Sequence, residues 1–158
     1  MILAIDPGPE QCGWALLSGL TVMDSGVSTL HETLAMLRGT ATHTPACRIA
    51  VEMIASYGMP VGAEVFATCV NIGRMVETCA ERGREVQLVT RHAVKMHLCG
   101  SARAKDANIR QALIDLLGPQ GSKKSPGPTY GVKSHAWPAL AVAVTVAGLR
   151  PEGITRAA

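Results

Sequence analysis

A chain of 158 residues, 47% hydrophobic and 17% charged, is long enough to bury a core and too apolar to be disordered. No run reaches the roughly 18 apolar residues of a membrane span, and no basic stretch leads into an apolar one as in a secretory signal, so a cytosolic protein is expected. The net charge of +3 hides a polarity. Residues 1–81 hold three Lys/Arg against eight Asp/Glu, and residues 82–158 hold twelve against four. The second half therefore suits an anionic partner, or is a basic solvated face.

Ile2 to Ile5 reads as a short apolar strand. Cys12 to Leu17 and Leu20 to Gly26 read as two more, joined at Ser18-Gly19 as a hairpin. Thr29 to Arg38 has helical spacing, with Leu30, Leu34 and Leu37 on one face. Cys47 to Glu52 is a fourth strand. A long helix follows over about 61–82, striped by Val65, Cys69, Ile72, Met75, Val76 and Cys79, with Gly83 as its C-cap. Glu85 to Val89 is a fifth strand. Arg91 to Leu98 and Lys105 to Leu117 read as helices. Residues 118–133, rich in Gly, Pro, Ser and Lys, read as a mobile loop. Ser134 is the candidate N-cap of a last helix reaching Leu149, whose apolar run from Ala139 suits a buried position. The order predicts an α/β fold: a mixed five-stranded sheet, a three-strand antiparallel meander extended by parallel strands, flanked by helices. One domain over 1–150 with a frayed tail from 151 to 158 is expected. Five cysteines, at 12, 47, 69, 79 and 99, form no CxxC and read as reduced thiols. His92, His97 and Cys99 lack a fourth ligand at zinc spacing.

Asp6 and Glu52 each end an apolar strand. Taken singly, Asp6 suits a turn before Pro7-Gly8 and Glu52 suits a surface acid. If their strands are parallel neighbours, about 4.8 Å apart, the two acids repel unless a cation sits between them. Mg²⁺ or Mn²⁺ is the natural occupant of an all-oxygen site. Two such ions can activate a water and stabilise a leaving oxygen in phosphodiester cleavage.

Ile5-Asp6-Pro7-Gly8 with Gly13-Trp14-Ala15 resembles the first motif of the RuvC-type Holliday-junction resolvases, and Ala50-Val51-Glu52 resembles their second. Gly62 and Ile72-Gly73-Arg74 fall where the family has its long central helix. Ala102 to Asp106 is similar to its small-and-basic segment, and Ala139 to Ala143 to the stretch after its last acidic motif. The details are most similar to the phage and prophage branch. The resemblance implies a ribonuclease H-like fold and a homodimer, built through helix 61–82, that cuts four-way DNA with divalent metal in the cytoplasm of a bacterial or phage-infected cell. It implies that Asp6 and Glu52 are catalytic metal ligands. The last motif departs: His135 and Pro138 stand where the family generally has Asp-x-x-Asp. His135 is then a third ligand or a proton donor to the leaving 3′ oxygen, if it is not a plain surface residue. Pro138 ligates nothing. Asp106 serves as a helix-capping acid or as a further metal contact.

Arg91, Lys95, Arg103, Lys105, Lys123, Lys124 and Lys133 are candidates for phosphate contacts. Tyr57 is a candidate for stacking on an unpaired base. Two other functions compete. The altered last motif suits a junction-binding protein without nuclease activity. An ATPase or sugar kinase shares the early strand-end Asp, but residues 8–13 lack the Ser/Thr that would meet a phosphate, so no nucleotide cofactor is expected.

Overall fold

The computed structural model describes residues 1–44, 46–56, 58 and 60–151. Tyr57 and nearly all of the expected tail, residues 152–158, lie outside the described residues. Five strands form the main sheet: β1 (Ile2–Asp6), β2 (Gln11–Ser18), β3 (Thr21–Thr29), β4 (Arg48–Met53) and β5 (Val86–Thr90). Their order is β3-β2-β1-β4-β5, with β1 antiparallel to β2 and parallel to β4. Helices α1 (Leu30–His43), α2 (Ala63–Ala80), α3 (Arg91–Cys99), α4 (Asp106–Leu117) and α5 (Ala136–Ala147) cover the two faces. A small hairpin, β6 (Gly121–Ser122) with β7 (Ser125–Pro126), completes the chain. Among the described residues no helix is long and apolar enough to cross a membrane.

Alternation along the strands sorts two cores onto opposite faces. Leu3 and Ile5 of β1, with Ile49 and Val51 of β4, pack against Leu34 and Leu37 of α1 and Ile72, Met75 and Cys79 of α2. Ile2 and Ala4, with Ala15, Leu17 and Ala50, pack against α5 and its neighbours α3 and α4. Ala15, Ala4 and Ala50 stand side by side across β2, β1 and β4. Three small side chains in a row let α5 lie close to the sheet, and α5 is buried around almost its whole circumference.

Three expectations need correction. Residues 118–133 are tied down: Gly127 N–H donates to the Gln120 carbonyl (2.8 Å), Gln120 Nε2 to the Val132 carbonyl (3.0 Å) and Thr129 Oγ1 to the Gly118 carbonyl (2.9 Å). Buried Thr129 and Val132 anchor the segment; its Gly/Pro content builds turns rather than freedom. Ser134 does not cap α5. It has φ 43°, and His135 is the N-cap, without a side-chain capping bond. The carbonyls of Lys133 and Ser134 accept from Ala136 (2.9 Å) and Trp137 (3.2 Å), so the first amides are satisfied by backbone. Pro138, third in the helix, falls in the turn where a missing N–H is harmless. Finally, Val65 and Cys69 of the expected α2 stripe are only half-buried, and Thr68, Asn71 and Thr78 face inward instead.

Candidate active site

Asp6 and Glu52 lie within the last residues of β1 and β4, not beyond them. In the parallel register Ala4 pairs with Ala50 and Ile5 with Val51, so the next step sets Asp6 beside Glu52. Both have the strand parity of Ala4 and Ala50, so both face α5. Across the antiparallel side, Asp6 pairs with Gly13 of β2. The end row of the sheet therefore reads Gly13, Asp6, Glu52, Val89.

Gly13 is what admits the third group. A Cβ there would stand 1.9 Å from the His135 carbonyl oxygen and 2.8 Å from the His135 Cβ. The start of α5 thus rests on the bare backbone of β2. That seat sets His135 Nδ1 3.7 Å from Asp6 Oδ2, with the imidazole 60% exposed over a carboxylate 20% exposed. The sequence carries a signal for this: an isolated glycine in a strand marks close backbone approach.

Thr90 ends β5 and caps α3, its Oγ1 accepting from Ala93 N–H at 3.2 Å. The first helical side chain, Arg91, is thereby delivered to the site. Its Nη1 lies 3.5 Å from Glu52 Oε2, and its Nη2 donates to Asp106 Oδ1. Asp106 is the first residue of α4, its side chain 83% exposed. There it suits the helix dipole, although the residue at the N-cap is Lys105. Asp6, Glu52 and Arg91 line one cleft of about 190 Å³ with Pro7, Met53, Ile54 and Ala55. Asn71 Nδ2 of α2 donates to the carbonyls of Gly8 (3.0 Å) and Pro9 (3.2 Å), fixing the loop that follows Asp6.

Burial pushes the Asp6 carboxyl up to about 6, against the opposing pull of His135 and Arg91, with Asp106 adding to the rise. Burial likewise pushes Glu52 up to about 7; Arg91 opposes the shift, while Asp6 and Asp106 reinforce it. Burial disfavours the charge on Arg91, but Glu52, Asp106 and Asp6 outweigh it and hold the guanidinium above its ordinary range. Two acids that ionise reluctantly, side by side and facing a cleft, are what a bound cation would relieve. Among the described residues, no group of three or more His, Cys, Asp or Glu is preassembled to hold a metal. The donor set is the carboxylate pair, with the imidazole nearby. These donors fit a hard divalent cation that keeps several waters; the two-ion site expected from the sequence would need further ligands beyond this pair.

The other residues expected to contact phosphates are exposed or line a depression that shares Arg91 with this cleft. Lys95, with Arg91, His92 and Ala102, lines a neighbouring depression. Arg103 and Lys105 are exposed between α3 and α4, Lys123 and Lys124 form the tip of the β6–β7 hairpin, and Lys133 is exposed before α5. Arg110, on α4, carries no local sequence signal of a site. Its guanidinium stacks 4.8 Å from the Trp137 ring centroid and donates to Gln120 Oε1 at 3.0 Å, beside Arg91 and Asp106.

No family model and no curated protein sequence matches the chain. Solved structures do. The structure of Thermus thermophilus RuvC in complex with a Holliday junction substrate superposes with a TM-score of 0.67 at 20% identity, over 92% of each chain. A second Thermus thermophilus RuvC structure gives 0.63 at 22% identity, over 93% of each. The fold is that of RuvC. The mixed sheet and its five helices share the ribonuclease H-like architecture of those proteins. Within that fold, Asp6 and Glu52 stand among the last residues of two adjacent parallel strands.

Proposed function

We propose that this protein is a RuvC-type, metal-dependent endonuclease that resolves four-way DNA by phosphodiester hydrolysis. The observation that carries the reading is the parallel register of β1 and β4, Ile5 against Val51, which brings Asp6 and Glu52 out as neighbours on one face where the strands end. The fold likeness to a RuvC seen with a junction substrate supports the choice of DNA.

In this reading Asp6 and Glu52 hold Mg²⁺ or Mn²⁺. The bound ion supplies Lewis-acid charge and an acidified water. Arg91, and Arg110 stacked on Trp137, neutralise and orient the phosphate. His135, its imidazole 60% exposed beside Asp6, delivers a proton to the departing 3′ oxygen. Lys95, Arg103, Lys105, Lys123, Lys124 and Lys133 hold backbone phosphates away from the chemistry. Two copies, joined through the exposed apolar face of α2, would set two clefts against the two-fold symmetry of a junction. That face carries Phe66 and Val70, 63% and 64% exposed.

The test is cleavage of a synthetic four-way junction with Mg²⁺ and with Mn²⁺. Wild type should give paired nicks, and Asp6→Asn and Glu52→Gln should lose at least ~100-fold in rate, the scale of removing a group that stabilises transition-state charge. No product with either ion, or full activity in Asp6→Asn, overturns the reading. A second reading, junction binding without cleavage, is favoured by His135 and Pro138 standing where the family has its last acidic pair. It predicts tight, salt-sensitive junction binding and no product with any metal.

A further inference from the structure

Arg91 sits where three depressions meet: the carboxylate cleft, the surface lined by His92 and Lys95, and the narrow slot beneath Arg110 and Trp137. One end of its guanidinium reaches Glu52, half-buried in the cleft, and the other reaches Asp106 on the exposed start of α4. A planar fork gripping an inner and an outer carboxylate has a geometric consequence: it can release the inner acid while keeping the outer one. Its target, Glu52, is also half of the carboxylate pair that would hold a divalent ion. A fixed positive charge 3.5 Å from Glu52 Oε2 opposes a dication on the same carboxylate.

From this geometry we infer that Arg91 is the resident cation of the Asp6–Glu52 pair, and that a divalent ion and the Arg91 guanidinium compete for Glu52. As the ion takes Glu52, the guanidinium pivots on Asp106 toward the depression beside Lys95, where an incoming phosphate would meet it. The inference rests on the metal-centre reading above, and its readouts need no DNA and no cleavage.

The experiment is Mn²⁺ titration of the full chain, followed by electron paramagnetic resonance at about pH 8.5, where both carboxylates are ionised. Arg91→Gln should bind Mn²⁺ ~10-fold more tightly than wild type, because the opposing charge is gone. Arg91→Lys keeps the charge and should stay within about threefold of wild type. The gain should vanish in an Asp6→Asn/Arg91→Gln double variant. In the wild-type protein, the Arg91 guanidinium nitrogen resonances should report restricted rotation that relaxes along the Mg²⁺ binding isotherm. This measurement decides the matter even if Arg91→Gln folds poorly. Equal or weaker Mn²⁺ binding by a folded Arg91→Gln, a gain that survives Asp6→Asn, or guanidinium signals indifferent to Mg²⁺ would each overturn the inference. Binding of Mn²⁺ by neither protein removes the metal-centre reading with it. Tighter binding by Arg91→Gln in a protein that leaves junctions uncut overturns only the nuclease reading.

Discussion

Asp6 illustrates how a single buried charge can cost stability. Its carboxyl is pushed up to about 6 chiefly by burial, from an ordinary value of 3.8. The folded chain therefore holds a proton that the unfolded chain has released between about pH 4 and pH 6, and stability falls as the pH rises through that window. Glu52, raised to about 7, extends the decline to neutrality. Replacing the charge by a neutral isostere removes the penalty. Asp6→Asn should be more stable than wild type by about 2 kcal/mol at pH 8. The gain should shrink to nothing near pH 4, as read by urea unfolding at both pH values. A variant less stable at pH 8 would show that Asp6 is held by favourable contacts rather than merely tolerated.

At the scale of elements, the decisive contact is the seat of α5 on β2. Ala15, Ala4 and Ala50 bring the helix down on the sheet, and Gly13 lets the His135 backbone cross the end row. A methyl group at Gly13 must push the start of α5 away, since the facing atoms are backbone. Gly13→Ala should therefore cost about 1–3 kcal/mol, as overpacking does. It should also shift the His135 ring resonances relative to wild type. Unchanged stability together with unchanged ring signals would mean that α5 is not seated as described. The same element shows what periodicity leaves out. Ser134 has the residue type of an N-cap, but the cap position is taken by His135, because backbone carbonyls already serve the first amides.

For the whole molecule, α2 is the element with an inner face spent and an outer face left over. Ile72, Met75 and Cys79 enter the core, while Phe66 and Val70 stand exposed one turn apart with Gly73 beyond them. In the dimer proposed above this stripe is the seam, and a charge placed in it should split the pair. Phe66→Glu should sediment as a monomer at micromolar concentrations where wild type sediments as a dimer, with an unchanged circular dichroism spectrum. A monomeric wild type, or a dimeric Phe66→Glu, would move the seam elsewhere. The charge polarity reads at this scale too: both acids of the cleft come from the acidic half, while Arg91, Arg110 and the lysines around them come from the basic half.

The sequence of strands and helices along the chain, the strand-end positions of Asp6 and Glu52, and the buried last helix were legible in the sequence because each rests on a local pattern: short apolar runs, a carboxylate at a strand end, and a continuous Ala/Val/Leu run. That Asp6 and Glu52 share a face was only conditional, since it depends on a parallel register that no local pattern states. Tertiary structure decided that register. It also decided that His135 reaches Asp6 because Gly13 makes room, and that Asn71 ties the loop after Asp6 to α2. Tertiary structure also sets Arg91, expected as a phosphate contact, 3.5 Å from Glu52. A basic side chain at a strand-to-helix junction is surface by default. It turns inward only where the fold sets half-buried carboxylates beside it, and that attraction acts through space rather than along the chain.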